Sequence, residues 1–258
     1  MINHEFKKKF GQNFISDKNL ICAICDDAEL EKKDEVLEIG AGAGSLTSQL
    51  DSRCKKVVSY EIDKDLIEPL TSLGLKNTKF VFGDVMNYSI DEIEKDFDGQ
   101  YKIIANLPYY ITTPIIFKFL NESKKVKSLS IMVQKEVAER IIAKEGGKDY
   151  GVLSIMINFY GDAKISRVVS RKMFYPQPNV DSAVVIIELK DKYPEIDKKD
   201  FYKFVQTVLS MRRKTLRNNL NSGRYDKNKI NLLGEDILSK RSEIFSIDEL
   251  IKIYKKLK

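Results

Sequence analysis

The sequence predicts an α/β protein in which a mostly parallel, doubly wound sheet is followed by a small all-helical domain. Three observations lead to this prediction. Short apolar runs alternate with helical patterns over the first 190 residues, a glycine cluster joins the first run to a helix, and only helical spacing follows residue 200. Parallel pairing is expected because strands that are separated by helices are joined by long crossovers.

The strands are predicted in chain order from apolar runs that end on polar residues. The runs are Val36–Ile39, Val57–Tyr60, Lys79–Phe82, Lys102–Ala105, Ser128–Val133 and Ala183–Leu189. Helical patterns follow the first run at Leu46 and Leu50 and the second run near Leu66. Each strand therefore delivers its last residues to the same edge of the sheet, where open α/β sheets bind ligands.

A domain boundary is predicted in the charged segment Lys190–Asp200, which contains Pro194 and has no apolar periodicity. Beyond it, apolar residues recur with helical spacing at Phe201, Phe204, Val205 and Val208. The predicted domains are residues 1–190, which hold the sheet, and residues 191–258, which form the helical domain.

Composition and charge narrow the class of protein. Of 258 residues, 43% are hydrophobic and 32% are charged, which is typical of a globular chain. No apolar run approaches the roughly 18 residues of a membrane span, and none follows Lys7, Lys8 and Lys9 as in a secretory signal, so a cytoplasmic protein without a membrane partner is expected. The net charge is +8 from Lys190 onward and −2 before it, which suggests that nucleic acid binds the helical domain.

Several kinds of chemistry are disfavoured. The chain has one histidine, His4, and three cysteines, Cys22, Cys25 and Cys54. This set cannot supply a closed four-ligand zinc site, a histidine-dependent hydrolase or a disulfide framework, so no metal is expected. Cys22 and Cys25 are interpreted as part of a helical apolar face.

The glycine cluster places Gly40, Gly42 and Gly44 between the first strand and its helix. Glycine there allows a tight turn and the close approach of a ligand to the backbone. A dinucleotide fingerprint would have its third glycine at position 45, which is Ser45, so a nicotinamide cofactor is disfavoured. A tight turn without any ligand is the alternative.

Three acidic residues near successive strand ends favour a particular ligand. They are Glu38 before the glycine loop, Glu61 after the second strand and Asp84 after the third. Glu61 lies about twenty residues beyond the loop, where ribose hydroxyls are held in related folds. S-adenosylmethionine fits this set because it carries a ribose, an adenine amine and an amino-acid cation, but no pyrophosphate.

The segment Asn106, Leu107, Pro108 and Tyr109 follows the fourth strand and is predicted to carry the reaction. An adenine amine is a poor nucleophile, so a site must accept its hydrogens and orient its lone pair. The Asn106 side chain and the Leu107 carbonyl are acceptors, and Tyr109 offers a ring on which an extruded base can stack. A turn with a core tyrosine is the alternative.

Over essentially its whole length the chain resembles the ribosomal RNA adenine dimethyltransferases, most closely their small-subunit branch. The matching blocks are KKKFGQNFISD, EIGAGAGSLT, YEID, GDV, NLPYYITTP, FYPQPNVDSAVV and MRRKTLRNNL. The resemblance implies a seven-stranded class I methyltransferase sheet, S-adenosylmethionine as cofactor and a C-terminal helical RNA-binding domain. Ala41 and Ala43 in the loop and Tyr110 depart from the residues common in the branch.

Site residues are assigned on this combined basis. Cofactor contacts are expected at Asn13, Ile15, Glu38, Gly40, Gly42, Glu61, Ile62, Asp84, Val85 and Asn106. Contacts to the target base are expected at Asn106, Leu107, Pro108, Tyr109 and Phe174, the last as a second aromatic wall. A core position before a proline turn is the alternative for Phe174.

The C-terminal block indicates the branch and the substrate. Arg212, Arg213, Lys214 and Arg217 are expected in one helical stretch that binds RNA phosphates, with Lys7, Lys8 and Lys9 adding to it. A solvated basic face is the alternative. The resemblance implies a monomer that dimethylates two adjacent adenosines in the 3′-terminal hairpin of 16S rRNA in immature 30S subunits. A 23S rRNA methyltransferase conferring macrolide resistance and an assembly factor that acts by binding are the alternative functions.

Overall fold

The computed structural model describes residues 13–15, 17–223 and 225–258. They form two compact units, and the chain passes between them more than once. The first unit consists of residues up to Ala138 together with Lys164–Leu189. The second consists of Glu139–Ala163 together with Lys190–Lys258. His4 and Lys7 to Lys9, which the sequence analysis discussed, lie outside the described residues.

A seven-stranded sheet organises the first unit. Its strands lie in the order β4-β3-β2-β5-β6-β9-β7. Their bounds are β2 Glu35–Ile39, β3 Lys56–Glu61, β4 Thr78–Phe82, β5 Tyr101–Asn106, β6 Val126–Gln134, β7 Gly161–Val169 and β9 Ser182–Leu189. The five strands β4, β3, β2, β5 and β6 pair in parallel with their neighbours, and β9 runs antiparallel to β6. A separate antiparallel pair consists of β1 Phe14–Ile15 and β8 Phe174–Tyr175.

All six strands predicted from apolar runs are present, which confirms the predicted fold class. Strand β7 was not predicted. Four polar residues, Asp162, Lys164, Ser166 and Arg167, stand between its buried ends Gly161 and Val169, and it lies at the edge of the sheet. An edge strand buries less of its surface than a central strand, and therefore leaves a weaker apolar signal in the sequence.

The strand order reverses between β2 and β5, which are adjacent although β3 and β4 separate them along the chain. Ile39, the last residue of β2, pairs with Ala105 of β5 on one side and with Tyr60 of β3 on the other. The carboxyl ends of three strands therefore meet at one place. A crevice forms at such a reversal because the connections leave the two central strands in opposite directions.

Helices of the first unit cover the sheet. They are α1 Lys18–Asp27, α2 Ser45–Arg53, α3 Ile67–Thr71, α4 Ile90–Glu94, α5 Thr112–Glu122 and α6 Lys135–Ile141, the last continuing into the second unit. Short 3-10 turns occur at Lys64–Leu66, Val85–Asn87 and Arg171–Met173. The Asp17 side chain caps α1, which buries Ile21, Ile24 and Cys25.

A buried ion pair fixes the far end of α1. Nζ of Lys102 in β5 lies 2.8 Å from a carboxylate oxygen of Asp34 and donates to the backbone carbonyls of Ala28 (3.1 Å) and Glu29 (2.7 Å). A buried ammonium is tolerated only where its donors are satisfied, as they are here. Helix α1 is thereby tied to the central strand whose other end is Asn106.

The second unit is helical. It holds α7 Val152–Tyr160, α8 Lys198–Val208, α9 Leu216–Ser222, α10 Lys227–Asn231, α11 Glu235–Leu238 and α12 Ile247–Leu257, with a 3-10 turn at Ser242–Ile244. The Phe201 ring at its centre lies 4.8 Å from Phe159 and 5.4 Å from Tyr254, centroid to centroid. Because Phe159 belongs to α7, residues 139–163 complete this core, although the predicted boundary at residue 190 had placed them with the sheet.

Candidate functional site

A cleft of about 500 Å³ opens at the carboxyl ends of β2, β3 and β5. Most of the predicted site residues line it. The lining residues are Asn13, Phe14, Gly40, Gly42, Glu61, Ile62, Asn106, Leu107, Pro108 and Tyr109. A more apolar part of similar size adds Ile15, Ile21, Ile24, Leu46 and Met132, among others. Residues from four predicted motifs, separated by up to 96 positions in the sequence, therefore meet in one place.

The glycine loop forms one wall of the cleft. Gly40 and Gly42 have φ of +84° and +54°, in the left-handed region that side chains disfavour. A Cβ atom added to Gly42 would lie 2.8 Å from Cε1 of Phe14. Glycine is therefore required at position 42 both by the backbone and by the Phe14 ring, and the loop presents bare main chain to the cleft.

Glu61, the last residue of β3, joins the loop to the cleft. One carboxylate oxygen accepts from the Gly42 N–H and the other from the Asp63 N–H, each at 2.8 Å. Burial raises the pKa of Glu61, and the two backbone donors act in the opposite direction. Each carboxylate oxygen has a second lone pair, so Glu61 can still accept hydrogen bonds from a ligand.

Glu38 lies beneath the loop and does not line the cleft. Its side chain has no exposed surface, and one oxygen accepts from Thr47 (2.7 Å) and Ser59 (2.5 Å), which tie it to α2 and β3. The second oxygen is buried without a hydrogen-bond partner among the described residues. Burial raises the pKa of Glu38 to about 7. The side chain therefore supports the loop from below.

Asn106 is held by a residue far away in the sequence. Its Nδ2 donates to the backbone carbonyl of Asn13 at 2.8 Å, which fixes the rotation of the amide group. The backbone carbonyl oxygen of Asn106 lies 3.6 Å from the position that a Cβ on Gly40 would take, so the main chain of this residue lies beside the glycine loop. The side chain is oriented by its bond to the N-terminal segment, with Oδ1 as its acceptor end.

The segment that follows Asn106 turns sharply. Leu107 is buried and its N–H donates to the Met132 carbonyl (3.2 Å). The Thr112 hydroxyl donates to the Pro108 carbonyl (3.1 Å). The Tyr109 hydroxyl is hydrogen bonded to that of the buried Ser182 (2.9 Å), and burial raises the pKa of Tyr109. These contacts fix the Tyr109 ring where it lines the cleft.

Three other predicted residues lie outside the lining. Asp84 caps the turn Val85–Asn87 by accepting from the Met86 N–H (2.9 Å), and Val85 is buried. Phe174 is 5% exposed and packs in an apolar cluster with Ile24. Its position matches the core alternative of the sequence analysis rather than an aromatic wall.

Several residues of the site were not predicted, among them the apolar residues of its second part and two residues with particular roles. Phe14 lines both parts of the cleft, and Ser182 holds the Tyr109 hydroxyl. Phe14 stands between the predicted Asn13 and Ile15, so the motif itself could have indicated it. Ser182 is 73 residues from Tyr109, and nothing in the sequence signals that pairing.

The cleft fits S-adenosylmethionine chemically. The bare loop leaves room for close approach, the Glu61 carboxylate can accept from ribose hydroxyls, and the apolar part matches an adenine or a thioether chain. Among the described residues, no group of three or more histidine, cysteine or acidic side chains could hold a metal ion.

Three of the four basic residues predicted to bind RNA lie in a turn of the second unit. Arg212, Arg213 and Lys214 lie between α8 and α9, and only Arg217 is helical, so the predicted single helical stretch is wrong. The side chain of Asn219, which is 1% exposed, accepts at Oδ1 from the Met211 N–H at 3.0 Å. This bond holds the turn against α9.

The four cations differ in their partners. Arg212 donates to the Lys148 carbonyl at 2.6 Å, and Arg217 is paired with Glu235. Arg213 and Lys214 are exposed and make no ion pair with a described residue. Two of these four cations, Arg213 and Lys214, therefore have no ion-pair partner among the described residues.

Within the part of the chain that the structure describes, no helix is both long and apolar enough to cross a membrane.

Comparison with known proteins identifies the family. The model of the ribosomal RNA adenine dimethylase family matches residues 3–255. A ribosomal RNA small subunit methyltransferase A from Clostridioides difficile is 43% identical over 257 residues, covering 96% of this chain and 89% of the relative. The enzyme of the same name from Clostridium acetobutylicum is 40% identical over 267 residues, covering 97% and 93%.

Solved structures of two RNA methyltransferases have the same fold as this chain. A dimethyladenosine transferase from Plasmodium falciparum superposes with a TM-score of 0.81 at 26% identity, covering 94% of this chain and 98% of that one. The 23S rRNA methyltransferase ErmE shares the fold, with a TM-score of 0.72 at 23% identity over 95% and 99%. Because the family model spans nearly the whole sequence, the chain belongs to the ribosomal RNA adenine dimethylase family, whose members are S-adenosylmethionine-dependent methyltransferases.

Proposed function

We propose that the chain transfers methyl groups from S-adenosylmethionine to the exocyclic amines of two adjacent adenosines in the 3′-terminal hairpin loop of 16S rRNA. The observation that carries this proposal is the oriented amide of Asn106, held by Asn13 at the mouth of the cleft beside the glycine loop. The names of the relatives support the small subunit as the substrate rather than 23S rRNA.

The proposed mechanism assigns the chain a positioning role. S-adenosylmethionine, when bound, supplies a methyl group on a sulfonium that is already a good leaving group. Oδ1 of Asn106 and the Leu107 carbonyl accept the two amine hydrogens and turn the nitrogen lone pair toward the methyl group. The Tyr109 ring stacks on the extruded base, and the amine proton passes to solvent. In-line geometry and matched acceptors then supply the rate enhancement, and no strong base is needed.

The other predicted ligands take proposed roles according to their positions. Glu61 accepts from the ribose hydroxyls, and the main chain at Gly40 and Gly42 lies against the cofactor. Glu38 acts through the loop that it supports rather than by contact. Arg213 and Lys214 bind RNA phosphates, which position the substrate without reading its sequence. We further propose that the protein acts as a monomer, without a metal ion, on immature 30S subunits in the cytoplasm.

The proposal is tested with labelled S-adenosylmethionine and immature 30S particles that lack dimethyladenosine. We expect label in two adjacent adenosines of the 3′-terminal hairpin, mapped by nuclease digestion and mass spectrometry. A parallel reaction contains 23S rRNA, and label there instead would establish the large-subunit alternative. Tight binding to 30S particles with no label in either RNA would establish the binding factor.

A further inference from the structure

The small sheet of β1 and β8 lies beside the cleft and has two different faces. Phe14 pairs with Tyr175, and Ile15 pairs with Phe174. Residues directly opposite each other in an antiparallel pair point to the same face, and successive residues point to opposite faces. Phe174 and Ile15 pack with the apolar core, so Phe14 and Tyr175 share the other face.

That other face joins a residue of the cleft to an exposed ring. Phe14 lines both parts of the cleft, and its ring lies where a side chain at Gly42 would be. Tyr175 is on the same face but does not line either part, and it is 68% exposed. A large aromatic side chain is therefore mostly exposed opposite a residue that lines the cleft, while its neighbour Phe174 is buried.

Positive charge accompanies the exposed ring. The turn Arg171–Met173 leads directly into β8, and Arg171 and Lys172 are both exposed. Arg171 donates from Nη1 to the Asn179 carbonyl at 2.9 Å, which orients its guanidinium, and the nearby Asp181 carboxylate accepts from the Arg171 N–H. An aromatic ring beside cations is the combination with which proteins bind single-stranded nucleic acid.

The second exposed tyrosine near the cleft lacks this setting. Tyr110 is 60% exposed, and burial raises its pKa with a further contribution from the negative charge of Asp84. A carboxylate near a ring disfavours the approach of a phosphate backbone. Tyr175 is therefore the better placed of the two rings for contact with RNA.

We propose that Tyr175 and Lys172 form an RNA subsite at the rim of the cleft, in which the Tyr175 ring stacks on a base that flanks the target adenosine and Lys172 contacts a backbone phosphate. The base is a flanking one because Tyr175 does not line the cleft that receives the target. This assignment rests on the proposed function. It gives β8 an aromatic contact to RNA at Tyr175, whereas the sequence analysis expected one at Phe174.

The test compares Tyr175→Ala and Tyr175→Phe with a control, Val168→Ala, which also shortens an exposed apolar side chain of the first unit. The substrates are 30S particles reconstituted with three 16S rRNAs. One RNA is intact, the second has an abasic nucleotide on the 5′ side of the target adenosine, and the third has one on the 3′ side. We expect Tyr175→Ala to lower kcat/KM about 10-fold on intact RNA, through KM, with kcat and cofactor affinity unchanged. Tyr175→Phe should keep kcat/KM within about 2-fold of the wild-type value because it retains the stacking face. The control Val168→Ala should do the same, because Val168 is not part of the proposed subsite.

The abasic substrates separate stacking from a structural role. If the ring stacks on a flanking base, one abasic position should slow the wild-type protein about as much as the substitution does and should abolish the difference between wild type and Tyr175→Ala. The slope of log(kcat/KM) against log[salt] is expected to be negative, and Lys172→Gln should reduce its magnitude by about 0.7.

Two results would overturn the subsite. One is unchanged kcat/KM for Tyr175→Ala while the wild type methylates 16S rRNA. The other is a loss of activity in Tyr175→Ala that persists on both abasic substrates. Absence of methylation by the wild-type protein on every substrate would instead overturn the proposed function, and with it this assignment.

Discussion

The cleft of the first unit and the basic turn of the second use their functional groups in opposite ways. In the cleft, Glu61 and Asn106 are each held by hydrogen bonds of 2.8 Å to backbone groups, so their orientation is set before a ligand arrives. In the turn, Arg213 and Lys214 are exposed side chains on a short connection. The cleft is therefore suited to chemistry that depends on orientation, and the turn to attraction that depends on charge.

This difference predicts how substitutions should act. Removal of one oriented acceptor should abolish a step of the reaction and leave RNA binding intact. Removal of one exposed cation should weaken RNA binding gradually and leave the chemical step intact. The four predictions below test this separation, beginning with the largest expected effect.

Asn106→Ala should lower the single-turnover rate of methylation about 100-fold or more, because it removes an acceptor that orients the adenine amine. The affinity for S-adenosylmethionine, measured by calorimetry, should change far less. Asn106→Asp keeps an acceptor oxygen but loses the N–H that donates to Asn13. It is the matched control and should retain more activity than the alanine variant. Loss of cofactor affinity in parallel with the rate would show that Asn106 is mainly structural.

Glu61→Ala should raise the Kd for S-adenosylmethionine about 10- to 100-fold, since it removes a charged acceptor from the ribose hydroxyls and from the Gly42 N–H. RNA affinity, measured by filter binding without cofactor, should stay near that of the wild type. Glu61→Gln retains one acceptor oxygen and should fall between the two. Unchanged cofactor binding in the alanine variant would exclude Glu61 from the cofactor site.

Glu38→Gln should change how stability depends on pH. The pKa of Glu38 is about 7 in the folded protein and near 4.5 for an ordinary glutamate, so between these values the folded state binds the extra proton and the free energy of unfolding falls as the pH rises. The glutamine variant lacks this loss. Its stability relative to wild type should increase by about 3 kcal/mol from pH 4.5 to pH 8, measured by urea unfolding. A constant difference over this range would show that Glu38 titrates normally.

The smallest effects are expected in the basic turn. Arg213→Gln and Arg217→Gln remove the same charge, but Arg217 is paired with Glu235 and Arg213 has no such partner among the described residues. Arg213→Gln should weaken RNA binding severalfold and lower the magnitude of the log–log salt slope by about 0.7 to 1. Arg217→Gln should change that slope by less than half as much. Equal effects would mean that the ion pair opens when RNA binds.

The sequence was most informative where a polar residue directly follows a buried parallel strand. Six strands could be located because buried parallel strands are continuous apolar runs, and the polar residues after them meet at one edge for geometric reasons. The residues Gly40, Glu61 and Asn106 were therefore found together from their positions along the chain. All three line the same cleft.

The remainder depended on long-range packing that no local pattern encodes. Glu38 and Phe174 have residue types suited to ligand contact, yet burial beneath the loop and within the core decides their positions. The basic block was predicted to be helical because it lies in a domain whose apolar residues have helical spacing. Asn219, an ordinary polar residue in the sequence, instead holds the connection between α8 and α9 by accepting from the Met211 N–H.

Helix α7 carries a consequence for the engineering of hybrid enzymes. Its Phe159 is part of the aromatic core of the second unit, although it is encoded 31 positions before Lys190, where the last crossing into that unit occurs. A chimera that exchanges only residues 191–258 with a relative would join half of one core to half of another. Exchange of the whole second unit requires two cassettes, residues 139–163 and 190–258, so single-crossover recombination should yield poorly folded progeny even between closely related genes.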